Sequence, residues 1–227
     1  MYIVRNEAEV TRGQDAAFED AMRELQGIRQ GQPGYIGSTL LRSFGQPHRY
    51  TLTSRWTDRA ASLAAGRDER FVAFTRSQAG AGLSRPVRPT EAYEGVFEVD
   101  ADGVNAGANT CEVWADWTVK TQAQTAAFEA WARGVAEARK AVMPGFGSNR
   151  LRRYLGDDRR YLLLGIYADR EAARGSITVP GVQAYTQAHP VQDLIAGPPV
   201  ITAYEVVWRA GAAAPVAAQA AASTNGC

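Results

Sequence analysis

Apolar residues recur along this chain in two rhythms, one of period two and one of three to four, and the order of the rhythms is the same in both halves. Residues 2–10 alternate as a strand does, with Ile3, Val4 and Val10 as its apolar members. From Gln14 to Gln30, Phe18, Met22, Leu25 and Ile28 form one face of an amphipathic helix. Gly31 and Pro33-Gly34 stop it. Strands at Tyr35–Ser43 and Arg49–Trp56 follow, joined by a turn at Gly45-Gln46-Pro47-His48. Asp58 can cap a helix that Gly66 interrupts and that Phe71 and Phe74 continue to about Ala79. Gly80–Pro89 reads as loop, and Thr90–Val99 as a closing strand.

The second half repeats these steps. Cys111–Lys120 is a strand carrying Val113, Trp114 and Trp117, and Ala123–Ala141 is a helix with Phe128, Trp131 and Val135 on one face. A hairpin comes next, then a short helix at Asp169–Arg174 ended by Gly175, a helical piece at Val179–Gln187 and a last strand at Val200–Trp208. The correspondence is ungapped from Pro33-Gly34-Tyr35 to Trp56, which match Pro144-Gly145-Phe146 to Tyr167 (144 − 33 = 111; 167 − 56 = 111). A repeat this long marks a duplicated module.

Each copy reads strand, helix, strand, strand, helix, strand, which predicts a ferredoxin-like α+β module. The expected domains are 1–99 and 110–209, with a Gly-rich linker at 100–109 and a disordered Ala-rich tail at 210–227. Each module covers one sheet face with its own helices and leaves the other bare, so pairing the bare faces predicts an intrachain α+β barrel. Leu162, Leu164 and Ile166 alternate with Tyr161, Leu163 and Tyr167, as a strand buried on both faces requires. Thr51, Thr53 and Arg55 stand at the matching positions of the first copy, where a wetter contact is expected.

Composition narrows the partners. The formal net charge is +1 and no basic stripe carries interleaved aromatics, which argues against nucleic acid. No apolar run approaches the roughly 18 residues of a membrane span. The N-terminus reads as a strand and not as a signal core, and Cys111 and Cys227 offer no disulfide framework, so a cytoplasmic setting is expected.

Phe18 in the first helix, Pro33-Gly34-Tyr35 at its end, Leu41-Arg42-Ser43, and then Arg49-Tyr50 through Ser54-Arg55-Trp56-Thr57-Asp58 resemble the antibiotic-biosynthesis-monooxygenase family of dimeric α+β barrel proteins. The resemblance extends over both modules. It implies a ligand cavity between a module's sheet and its helices. Tandem members resemble oxygenases of angucycline-type polyketides, some of which use reduced flavin. Trp56 matches the family tryptophan that ends the third strand. The family Asn four residues earlier is replaced by Leu52 and Leu163. Arg76 matches the family Arg twenty residues after the Trp, where the second module has Gln187. Asn6 lies where several members carry an Asn on the first strand, and Asp116 is taken as its counterpart. The heme-degrading branch needs a His about ten residues past the Trp; Gly66 and Ile177 stand there, which argues against heme degradation.

The resemblance implies an oxygenase that acts on a polycyclic aromatic polyketide, anthrone- or angucycline-like, with O₂ and without metal or heme. The site would deprotonate an acidic phenol or anthrone, exclude water and stabilise the anion. Trp56, Asn6 and Arg76 are the catalytic candidates, and His189 is the candidate base, since an imidazole titrates near neutrality. Tyr50, Leu52, Phe74, Trp117, Leu163, Tyr167 and Tyr185 are candidate substrate contacts. Plainer readings stand beside these: Trp56 as core, Arg76 as a surface residue, and Trp131 as core at helical spacing. The arginine-rich hairpin (Arg150, Arg152, Arg153, Arg159, Arg160) suggests phosphate or flavin binding, but alternation along the strands favours a solvated face. No metal cluster, nucleophile elbow, P-loop or dinucleotide fingerprint is present. Reduced flavin, with a flavin reductase as partner, and a homodimer stay open. So do two rival functions, a non-catalytic aromatic-ligand-binding tandem barrel and a cyclase or isomerase.

Overall fold

The structure is a computed structural model and describes residues 1–77, 82–101, 110–176 and 178–211. Residues 102–109 of the expected linker, Ile177, Cys227 and the expected tail from 212 onward lie outside the described residues. The first half runs β1 (Tyr2–Val10), α1 (Asp15–Gln30), β2 (Tyr35–Ser43), β3 (Arg49–Trp56), α2 (Arg59–Ala65), α3 (Glu69–Arg76), β4 (Ser84–Pro86) and β5 (Glu91–Asp100). The second runs β6 (Cys111–Thr118), α4 (Thr125–Val142), β7 (Phe146–Tyr154), β8 (Arg160–Tyr167), α5 (Arg170–Gly175), α6 (Pro180–Ala188) and β9 (Val200–Gly211).

Local chemistry repeats with the elements. Gly34 and Gly145 follow the long helices at φ 75° and 73°, a conformation that costs a side-chain-bearing residue strain. A Cβ at these positions would also stand 2.7 Å from Ala61 Cβ and 2.9 Å from Ala172 Cβ. Asp58 and Asp169 cap the next helices, accepting from the N–H groups of Ala61 at 2.9 Å and Ala172 at 2.8 Å. These backbone donors hold the Asp58 carboxyl below the usual carboxylate range.

Within each half the antiparallel order is ferredoxin-like, β2-β3-β1-β5 and β7-β8-β6-β9. Two further ladders join the halves, β5 with β7 and β2 with β9. Each of these eight strands therefore has two neighbours, and the pairings return to their start. Strand alternation then separates two environments. Ile3, Leu41, Tyr93, Trp114, Leu162, Leu164, Tyr204 and Val206, drawn from both halves, pack inside the ring. On the helix side, Phe18, Leu25, Leu40, Leu52 and Phe74 form one cluster in the first half. Phe128, Ala132, Leu151, Tyr161 and Leu163 form another in the second.

Thr51 and Thr53 face inward, and that side is polar and buried. Arg5 and Glu7 are 2% and 4% exposed. Arg5 reaches Glu7 and Glu91 at 3.5 Å and Asp116 at 3.4 Å, and lies 4.8 Å over the Trp114 ring. Arg88 and Arg160 add further pairs, to Glu7 at 2.7 Å and Glu91 at 3.0 Å. Buried charges are tolerated when they are paired in this way.

Several boundaries differ from the sequence reading. The stretch 80–89 contains a short strand, β4, on the edge of β1 at Ala8–Val10; three residues are too few to show alternation. Asp100 belongs to β5 and Ala210–Gly211 to β9, because cross-half ladders extend both strands. The arginine-rich hairpin is only partly a solvated face. Arg159 bonds Asp157 and Arg153 bonds Glu94 near the surface, whereas Arg152 is 4% exposed. Its neighbour Leu151 points to the helices, so alternation turns Arg150 and Arg152 into the ring.

Leu162 is 0% exposed at the contact between halves. Replacing it with Ala is expected to cost about 2–5 kcal/mol in urea unfolding. Because the halves share two ladders, tryptophan fluorescence and far-UV circular dichroism should trace one coincident transition.

Candidate functional site

Between the helix-facing side of the second half's strands and helices α4–α6 lies a cavity of about 810 Å³, within the roughly 300–1,000 Å³ typical of small-molecule sites. Its sheet wall follows from alternation: Val113, Ala115 and Trp117 on β6, Leu163, Gly165 and Tyr167 on β8, and Ile201 and Ala203 on β9. The helix wall uses the four-residue repeat of α4, which places Trp131, Val135 and Arg139 on one face. Val182, Thr186 and Gln187 of α6 complete it. Phe44, just past β2, comes from the other half. Its N–H donates to the Ala203 carbonyl at 3.0 Å, and the Arg170 guanidinium lies 4.5 Å over its ring.

Most of the wall is apolar, and its charges are of one sign. Arg139, Arg170 and Arg174 line the cavity, and among the described residues no Asp, Glu or His does. Arg139 donates to Asn149 Oδ1 at 3.1 Å. The fully buried Asn149 is fixed by its own donation to the Leu164 carbonyl at 2.9 Å. The Arg139 Nε is buried without a hydrogen-bond partner, and so is the Trp117 Nε1. Two unsatisfied donors on a largely apolar wall call for an acceptor. Trp117 meets Trp131 edge-on at 5.4 Å, and Trp131 donates to the His189 carbonyl at 2.9 Å. Tyr167 folds back over Gly165, where any Cβ would collide with its ring. Such a cavity suits a flat aromatic anion. Trp117 also borders a smaller cavity of about 470 Å³, with Asp116, Arg88 and Arg160.

The equivalent space in the first half is filled. Ser54 stands where Gly165 stands (165 − 111 = 54), and its hydroxyl accepts from Arg29 at 2.7 Å. Burial pulls the Arg29 guanidinium down to about 10. The Tyr35 hydroxyl donates to Gln26 Oε1 and accepts from the Ser38 hydroxyl at 2.7 Å, and its ring meets Trp56 edge-on at 5.1 Å. Trp56 is thus packed among Tyr35 and Ala65. Tyr50, Leu52 and Phe74 belong to the first-half core, with the Tyr50 hydroxyl on Glu19 at 2.9 Å and Asp15 at 3.1 Å. Asn6 accepts from Thr90 at 2.7 Å, and Arg76 is exposed.

The structure therefore brings together Trp117, Leu163 and Tyr167 and does not bring Trp56, Asn6, Arg76, Tyr50, Leu52 or Phe74 to this cavity. Tyr185 on α6 and His189 at its C-terminus do not line the cavity; their rings stack at 4.4 Å, with Tyr185 lying over Gly134. Asn6 pairs with Leu52 and Ala115 with Leu163, so Asn6 answers to Ala115. Asp116, one residue on, faces into the ring beside Arg5. Trp131, read as core, lines the cavity. Arg139 was legible but unread: it sits at the offset of the helix Phe pair (128 − 18 = 110; 139 − 29 = 110). Phe44 carried no local signal, since only the β2–β9 ladder delivers it.

Among the described residues no group of three His, Cys, Asp or Glu side chains is placed to hold a metal ion, and no helix is long and apolar enough to cross a membrane. Residues 1–77 match the antibiotic biosynthesis monooxygenase family. No curated protein sequence matches the chain. Among solved structures, a presumed monooxygenase from Fusobacterium nucleatum superposes with a TM-score of 0.73 at 13% identity, over 92% of this chain and 94% of that one. A presumed monooxygenase from Lactobacillus acidophilus gives 0.68 at 10%, over 92% and 96%. An anthrone oxidase-like protein gives 0.65 at 15%, over 96% of each. At these identities the likeness is one of fold, and it spans both halves.

If the Trp117 N–H meets a ligand acceptor, Trp117→Phe should weaken binding of a planar phenolate about five- to tenfold, the worth of one hydrogen bond of about 1–1.5 kcal/mol. Binding of the same ring system without oxygen should not change. Competition titrations with both ligands check this.

Proposed function

Starting from an antibiotic biosynthesis monooxygenase domain at residues 1–77, we propose that this chain is an oxygenase for a polycyclic aromatic substrate, anthrone- or angucycline-like, that ionises to an electron-rich anion. We read the closed ring of strands as the intrachain α+β barrel of two ferredoxin-like modules, 1–99 and 110–209. Chemistry is assigned to the second module and packing to the first. The observation that carries this reading is the apolar cavity with three arginines on its wall and, among the described residues, no carboxylate.

In this reading the cavity binds the fused rings between Trp117, Trp131, Leu163 and Tyr167. Arg139 and the Trp117 N–H meet the anionic oxygen. A guanidinium about 4 Å from a unit charge, at an effective dielectric of about 20, contributes about 4 kcal/mol. That favours the ionised substrate and the negative charge that develops as an electron passes to O₂. The substrate methylene gains one oxygen and becomes a ketone; its two hydrogens leave with the second oxygen as water. The reductant is thus the substrate itself, and the protein's part is to bind, orient, exclude water and hold charge. His189 precedes Pro190, which lines the cavity, but its ring is stacked on Tyr185 and does not reach the wall, so no protein base is assigned.

A second reading, a binding protein without turnover, is favoured by the lack, among the described residues, of any Asp, Glu or His on the wall. Oxygen uptake by purified, metal-free protein with an anthrone or naphthacenone separates the two. Uptake with one atom of ¹⁸O in the product is expected, and Arg139→Met should lower kcat/KM about 10- to 100-fold, as for a charged hydrogen bond of about 1.5–3 kcal/mol. Saturable binding without uptake, with or without reduced flavin, supports the binding protein. Uptake only with reduced flavin points to the flavin-using variant.

A further inference from the structure

The ring of strands holds a second concentration of unsatisfied donors, on the side away from the cavity. Ser148, Arg150 and Arg152 alternate on β7 and face inward, opposite Ile166, Leu164 and Leu162 of β8. Ser148 Oγ, Arg150 Nε, and both Nε and one terminal nitrogen of Arg152 are buried without a hydrogen-bond partner. Arg209 Nε on β9 is in the same condition. The terminal nitrogen of Arg209 reaches Glu112 at 2.8 Å, and Glu112 shares with Ser148 the β8 partner Ile166, while Arg150 and Arg152 follow two and four residues along β7, close enough for Arg152 to feel Arg150 and Glu112. Across from Arg152 on β5 stands Gly95, beside the methyl of Met1.

The charges do not cancel. Arg150 pairs with Glu98 and Arg209 with Glu112, while no described acid pairs with Arg152 or with Arg55, which feels Arg150 and Arg209. Burial holds the Arg152 guanidinium down at about 10. A buried, unpaired guanidinium costs several kcal/mol, and unsatisfied donors converging on one spot indicate a ligand or water that satisfies them.

We propose that Ser148, Arg150, Arg152 and Arg209 bind a small tetrahedral oxyanion, phosphate or sulfate, inside the ring. Two uncompensated cations match a divalent charge. Hydroxyl and guanidinium donors together match an oxyanion's several acceptors better than they match a halide. Arg152 is the anchor. The site is independent of the substrate cavity, and its four groups stand on β7 and β9 of the second half.

The test is calorimetric titration of the full chain with inorganic phosphate and with sulfate, against sodium chloride of equal ionic strength. Saturable one-to-one binding is expected, with a rise in Tm of roughly 5–10 °C at a hundred times Kd. Arg152→Met should abolish both effects, and Arg12→Met, an exposed change, neither. Without ligand Arg152→Met should be as stable as the native chain or more so, since a buried unpaired charge is removed. Heats no larger than chloride's in the native protein overturn the proposal and leave the donors to water. Saturable binding retained in Arg152→Met overturns it equally. If that variant does not fold, the native titration and ³¹P line broadening decide by themselves.

Discussion

Each half of this chain is a sheet with helices on one face only, and the bare faces must be buried. The structure does this by facing them toward each other and tying the edges together through β5–β7 and β2–β9. No edge of the eight-strand ring is left unpaired, which removes the liability of exposed ladders. Everything else depends on this closure. It gives every strand two chemically distinct faces, and it makes the inner face a place where charges must find partners.

The two halves differ on their helix sides. The helix side of each half is built on the same positions, and small exchanges decide whether a cavity survives there. Ser54 ties down Arg29, and Trp56 with Tyr35 closes the space. At the same positions Gly165 leaves room, Tyr167 folds along the wall and Arg139 is held back by Asn149. An aromatic ring at the end of the third strand is therefore core in one half and cavity wall in the other. The first half contributes Phe44, so the cavity belongs to the pair of modules.

Much of the local structure was legible. The helix stripe at Phe18, Met22, Leu25 and Ile28, the Pro-Gly stops and the aspartate caps each rest on short-range physics, and each appears twice at a constant offset. The cavity was legible in part: Trp117, Leu163 and Tyr167 follow from alternation on the second half's strands. Arg139 was concealed because an arginine near a helix C-terminus looks like an ordinary solvated charge. Arg152 was concealed for a related reason, since a run of arginines on a hairpin resembles a wet face unless one knows that both faces of that strand are enclosed.

What the sequence by itself determined is the order of elements, their duplication and the apolar face of each, because these depend on spacings of two to four residues and on turn chemistry. The tertiary structure alone decided which half keeps a cavity, that Asn6 answers to Ala115 and not to Asp116, and that Arg150 and Arg152 point inward. Those outcomes depend on strand register and ring closure between residues far apart in the chain. A shift of one position exchanges the two faces of a strand, and only the paired neighbour settles which face is which.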